Sequence, residues 1–130
     1  MEPIINLQIS HNKKISTLQK EFNEVFPFLK LEFFKHRHAV FRGSSRKDLV
    51  DSDLSLGHLN RKHASGVIIL KPGMLVSELE DILRNNFGLS AQVFRKSGKT
   101  WIETTVTDDW TLEQQNEEGR ELSSLRGSAE

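Results

Sequence analysis

The strongest constraint on this chain is a pattern that occurs twice. Residues Leu7–Lys35 and Ile68–Lys96 each read as strand, helix, stop and second strand. In the first copy Ser16-x-x-Gln19 is followed by Phe22, Val25 and Phe26, then Pro27. In the second Ser77-x-x-Glu80 is followed by Ile82, Leu83 and Phe87, then Gly88. Ser16 and Ser77 suit an N-cap, with Gln19 and Glu80 completing a capping box and Ile15 and Val76 forming the hydrophobic staple. Together with Leu18 and Leu79, the apolar residues recur at helical spacing and give each helix one stripe to bury. Pro27 and Gly88 end the helices. The copies are offset by 61 residues through the helices and by 60 beyond them, which aligns Phe34 with Phe94. A period of about 60 that occurs twice is too long and too few-fold for a solenoid.

The remaining segments fit around this frame. Ile4–Ile9 and Phe28–Lys35 are predicted strands, the second with Leu29, Leu31 and Phe33 on one face and Lys30, Glu32 and Phe34 on the other. Val67–Leu70 is apolar on both faces and reads as a central strand. Leu89–Lys96 and Lys99–Val106 predict a hairpin around Ser97-Gly98. In that register Phe94 pairs with Trp101 and Val93 with Ile102. Thr107 is placed to cap a polar helix over Asp108–Glu118 that Gly119 ends. Leu54, Leu56 and Leu59 suggest a short helix within the long connection from Arg42 to Ser65.

The expectation is one α+β domain over 1–119. Its repeat halves are about 3–36 and 66–96, its insertion is 42–65, and 120–130 form a flexible tail. The tandem β-α-β order resembles a ferredoxin-like two-layer sandwich over roughly residues 3–96, with an insertion, an extra hairpin strand and a C-terminal helix added. A true crossover helix in 42–65 would favour a mixed or parallel sheet instead. The run from Phe87 to Gly119, FGL-x-x-QVFRKSG-x-x-WIETT followed by DDWTLEQQNEEG, resembles a family of small bacterial proteins. That resemblance implies no activity, cofactor or site residue.

Composition narrows the function classes. There is no cysteine, which excludes disulfides, cysteine-ligated metals and a cysteine nucleophile. No apolar run approaches the length of a membrane span, and the N-terminus lacks the features of a secretory signal. A cytoplasmic location is the expectation. The 18 basic and 18 acidic residues cancel, but unevenly. Residues 35–71 hold eight basic and three acidic side chains, a net +5, whereas 103–130 hold two basic and eight acidic, a net −6. Such asymmetry marks either an anionic partner or two regions that neutralise each other in the fold.

Chemistry-bearing constellations are sparse. His36, His38, His58 and His63 lie in or near the basic stretch, but no carboxylate joins them at a ligand spacing, so no metal is expected. Ser97-Gly98-Lys99-Thr100 ends like a phosphate loop, yet Val93 stands where that motif requires glycine. Arg42, Ser44, Ser45, Arg46 and Lys47 form a small-polar basic loop that suits an anion. No nucleophile elbow occurs, and adjacent acidic pairs such as Asp108-Asp109 point apart on a helix. No cofactor is expected, and the enzyme reading is the weaker one.

The most informative set is aromatic. If Phe33, Val93 and Ile102 face the helices, then Phe34, Phe94 and Trp101 face away from them. Lys30, Lys35, Lys96 and Lys99 flank them. Trp110 and Leu112 of the tail helix, or Leu122 and Leu125, are candidates to cover this face. Left open, it suits a protein partner or a second copy, with Phe34, Phe94, Trp101 and Trp110 as interface residues. The expectation is therefore a non-catalytic binding or regulatory module. The alternatives are a weak nucleic-acid binder using residues 35–71 with the same aromatics, or an anion- or metal-dependent small enzyme. The acidic residues that adjoin the patch argue against nucleic acid.

Overall fold

The computed structural model describes residues 5–35, 49–59, 65–104, 107 and 109–129. Its elements are β1 (Ile5–Ile9), α1 (Ile15–Val25), β2 (Leu29–Phe34), α2 (Leu56–Leu59), β3 (Gly66–Leu70), α3 (Val76–Phe87), β4 (Ser90–Ser97), β5 (Thr100–Glu103) and α4 (Leu112–Ala129). The fold is α+β, with two antiparallel sheets in the orders β1-β3 and β2-β4-β5. The ferredoxin-like expectation has one sheet beneath two helices. Here the strands of the two β-α-β units pair first with first and second with second, so the described strands form two sheets.

The registers show how the halves are related. Leu7 lies opposite Ile68, and Glu32 opposite Gln92. These are the residues equated by offsets of 61 and 60 in the repeat. Repeat-equivalent residues that face each other in an antiparallel pair are related by a local two-fold axis between the strands. The same relation carries Phe34, opposite Ser90, onto Phe94, opposite Lys30.

The helix starts extend the symmetry beyond the strands. The first residues of the four helices, Ile15, Leu56, Val76 and Leu112, are all fully buried. Each gives its N–H to a carbonyl just before another helix. Ile15 donates to Leu54 (2.9 Å) and Leu56 to Lys13 (2.9 Å). Val76 donates to Trp110 (3.0 Å) and Leu112 to Met74 (2.8 Å). Ser16, Gly57 and Glu113 add a second bond of the same kind, to Ser52, His11 and Pro72. A helix start leaves four N–H groups without intrahelical partners. Here the backbone turn of a neighbouring helix supplies acceptors for them.

This exchange explains why the expected capping boxes do not form. Helices α1 and α3 begin at Ile15 and Val76, with extended Lys14 and Leu75 before them and no side-chain cap from Ser16 or Ser77. Gln19 and Glu80 reach inward instead. Gln19 Nε2 donates to the Leu31 carbonyl (2.7 Å), and Glu80 Oε2 accepts the Val93 N–H (3.0 Å). Leu31 and Val93 are directly opposed, so both helices are pinned to one rung of the β2–β4 pair. The expected stops hold: α1 ends before Pro27, and Gly88 takes the left-handed conformation (φ 65°) after α3.

The core gathers the inward residues of both units, including Leu18, Phe22, Leu31, Phe33, Leu79, Leu83 and Val93. β3 is not central. It pairs only with β1 among the described strands, and Val67 and Ile69 are 54% and 51% exposed. The segment read as an insertion contains α2, whose start at Leu56 is the counterpart of Leu112.

The last helix differs most from expectation. Its cap is Thr111, not Thr107: Thr111 Oγ1 accepts the Gln114 N–H (3.0 Å) and Gln114 Oε1 accepts the Thr111 N–H (2.8 Å). Gly119 lies inside the helix, which continues to Ala129 through the span expected as a tail. A side chain at Gly119 would bring its Cβ to 2.9 Å from Phe28 Cβ and 3.1 Å from Arg95 Cγ. Glycine is there to let α4 lie against β2 and β4.

Two outcomes test this packing. Gly119→Val is expected to destabilise the chain by about 1–3 kcal/mol through overpacking. Gly73→Ala, where a Cβ meets nothing within 4 Å, is expected to stay within about 0.5 kcal/mol. Denaturant unfolding compares the two, and equal effects would mean that α4 is not seated on Phe28. Separately, Glu80→Ala is expected to cost about 1–3 kcal/mol because the Val93 N–H loses this buried acceptor. Glu80→Gln keeps an acceptor oxygen and is expected to cost clearly less in the same measurement.

Candidate functional site

The hairpin register decides which aromatics meet. Gly98 takes a positive φ of 65°, and the turn residues are Gly98 and Lys99. Lys96 therefore lies opposite Trp101, Arg95 opposite Ile102 and Phe94 opposite Glu103. The predicted register, with Phe94 against Trp101, is displaced by two residues. A displacement of two preserves the face on which every side chain stands. Phe94 and Trp101 remain on one face, as diagonal neighbours.

That face carries Lys30, Glu32 and Phe34 from β2, Phe94 and Lys96 from β4, and Trp101 and Glu103 from β5. With Leu49 and Thr100, all of these but Lys96 line a groove of about 540 Å³. Leu49 is brought there by an isolated bridge to Phe34 and is 41% exposed. Phe34 is buried but stands outside the core cluster, so its ring belongs to this second apolar group. The Lys30 ammonium sits 5.1 Å from the Trp101 ring centroid and 5.8 Å from that of Phe94. Glu32 Oε2 is 3.8 Å from the same nitrogen. Beside Phe94 on this face, the Gln92 side chain is fully buried, and neither amide atom has a hydrogen-bond partner.

Comparison with protein-family models, curated proteins and solved structures finds no match.

Trp110 is not part of the groove. It lies on the opposite face of the sheet, where the Arg95 guanidinium is 5.9 Å from its ring. Arg95 also donates to Gln115 Oε1 (2.8 Å), while Gln115 Nε2 donates to the carbonyl and hydroxyl of Thr107 (2.9 and 2.6 Å). The tail helix is thereby held on the Arg95 face and does not cover Phe94 and Trp101. Leu112 is in the core, and Leu125 lies outside the described side chains. Trp110 instead borders a smaller depression of about 410 Å³ with Glu113, Gln114, Glu117, Glu118 and Glu121. There the hydrogen bond from Arg120 holds the exposed Glu117 carboxyl below the usual carboxylate range.

The remaining candidates gather no site. Arg42, Ser44, Ser45, Arg46 and Lys47 lie outside the described residues, as do His36, His38 and His63. His58 Nδ1 is 3.1 Å from Ser55 Oγ, a local contact at the start of α2. Among the described residues no group of three or more His, Asp or Glu is placed to hold a metal. No helix among them is long and apolar enough to cross a membrane. Sequence reasoning did not pick out Leu49 as part of the groove. Its only signal was the apolar pair Leu49-Val50 at the end of a polar stretch.

The separation of the two tryptophans is directly checkable. Lys30→Gln is expected to shift the Trp101 indole N–H resonance and leave that of Trp110 in place. Arg95→Gln is expected to do the reverse. Movement of both resonances in both variants would contradict the assignment of one cation to each ring.

Proposed function

We propose that the chain is a non-catalytic binding module that receives a protein partner on its three-stranded sheet, in the groove between Phe34 and Trp101. The observation that carries this reading is the groove itself. Three aromatic rings from three strands converge beside ionic groups, and the tail helix lies on the other face. An apolar centre within a polar rim is the anatomy of a protein interface. The outer edge of β5 has no strand partner among the described residues. An extended partner segment can add there while its alternate side chains enter the groove. Glu32 and Glu103 offset Lys30 and Lys96 on this face, so it is not the basic patch that a phosphate backbone needs, which favours a protein over nucleic acid. A module without cysteine suits a cytoplasmic setting.

A displayed library of random 12-residue peptides tests the reading. Selection on the wild-type chain is expected to enrich peptides that compete with one another and lose at least about tenfold in affinity against Trp101→Ala. That loss matches a hot-spot truncation of about 1.4 kcal/mol or more. Light scattering across concentration distinguishes a second copy as the partner, since mass would then double and Trp101→Ala would abolish the doubling. Monomer mass throughout, with enriched peptides that ignore Trp101→Ala, would overturn the proposal.

A further inference from the structure

We infer that the groove is built to receive a basic side chain of its partner, and that Lys30 is a tethered occupant which the partner displaces. The inference rests on the groove being the partner site. Its ground is that the protein already shows a cation in this position. The Lys30 ammonium lies over two aromatic faces at once, 5.1 Å from Trp101 and 5.8 Å from Phe94. Aromatic faces carry negative quadrupole potential, so this is where a cation gains most. One carboxylate, Glu32, is 3.8 Å from the ammonium, and a second, Glu103, lines the same groove. Lys96 stands on the same face opposite Trp101, so the two carboxylates are balanced by two lysines, and a cation that enters in place of Lys30 keeps that balance.

Lys30 is a weakly held occupant. Its side chain remains 34% exposed, and its stem is flexible. A half-buried ion pair at 3.8 Å, too long for a direct hydrogen bond, holds it loosely. Lysine also presents only a point charge to a site whose carboxylates and flat rings match a planar guanidinium better. An arginine on an extended segment added beside β5 would stack on Trp101 and engage a carboxylate through a forked pair of hydrogen bonds. Lys30 would then swing out to solvent, at small cost because its ammonium regains water. The lysine thus protects the rings in the free protein and sets a threshold that partners without a basic side chain do not pass.

The test uses the intact chain and two synthetic peptides. One is acetyl-Gly-Thr-Val-Arg-Val-Thr-Gly-amide, and the other has citrulline in place of arginine, nearly the same shape without the charge. The readout is the displacement of β4 and β5 amide resonances on titration. The arginine peptide is expected to bind about fivefold more tightly than the citrulline peptide, the size of an exposed cation–π contact. Lys30→Gln is expected to tighten the arginine peptide by a similar factor, because the internal competitor is gone. Trp101→Ala is expected to abolish the difference between the peptides, and Trp101→Phe, which keeps a ring and the strand, to retain part of it. Weaker or unchanged arginine binding in Lys30→Gln would overturn the inference. So would equal affinity for the two peptides with continued dependence on Trp101, which would leave the groove reading intact. If neither peptide moves the groove resonances and the displayed library yields no Trp101-dependent sequence, the groove reading itself falls.

Discussion

The reciprocal backbone bonds at the helix starts hold the rest in place. Each of the four helices begins with a fully buried apolar residue whose N–H bonds to the turn before another helix. A buried N–H without a partner costs about 1–3 kcal/mol, so these starts are mutually dependent. Removing one turn would strand donors in its partner. The exchange also fixes where α1 and α3 begin. That sets which residues, Gln19 and Glu80, arrive opposite the Leu31–Val93 rung of the sheet. The groove lies on the reverse face of the same rung's neighbours, Lys30, Glu32 and Phe94, so its geometry follows from helix starts that never touch it.

Much of this frame was legible in the sequence because it depends on periodicity. The offsets of 61 and 60 are the relation that the strand registers realise, in Leu7 against Ile68 and Glu32 against Gln92. Glycine and proline stops were readable for the same reason, since they act within a few residues. Pairing between halves was less accessible. Nothing local decides whether a first strand pairs with a second strand or with the other first strand. The sequence carries one further signal. Asp53-Leu54-Ser55-Leu56 and Asp109-Trp110-Thr111-Leu112 share a pattern at an offset of 56. It marks α2 and α4 as counterparts and points to Thr111 as the last cap.

The site was legible by face and not by contact. Strand alternation is enough to place Phe34, Phe94 and Trp101 together, and it survived a hairpin register displaced by two residues because faces repeat every two. Trp110 went astray for a different reason. A helix can dock on either side of a sheet, and here Gly119 permits the close approach of α4 to Phe28 and Arg95 while Gln115 and Asn116 bond to the same face. Glycine in that position looked like a helix terminator. The structure shows that it marks the closest approach of the helix to the sheet.

The pairing of first strand with first strand and second with second has a bearing on how the molecule comes into being. β1 waits for β3, and β2 for β4, across about sixty residues of intervening chain. Closing such loops before any contact forms is what slows the folding of non-local sheets. During synthesis the first half leaves the ribosome with its helix turn able to form and both of its strands unmatched. Leu29, Leu31 and Phe33, later the middle of the core, are exposed for that interval. The two-fold relation that makes the finished protein self-consistent also makes its first half an incomplete object until the second arrives.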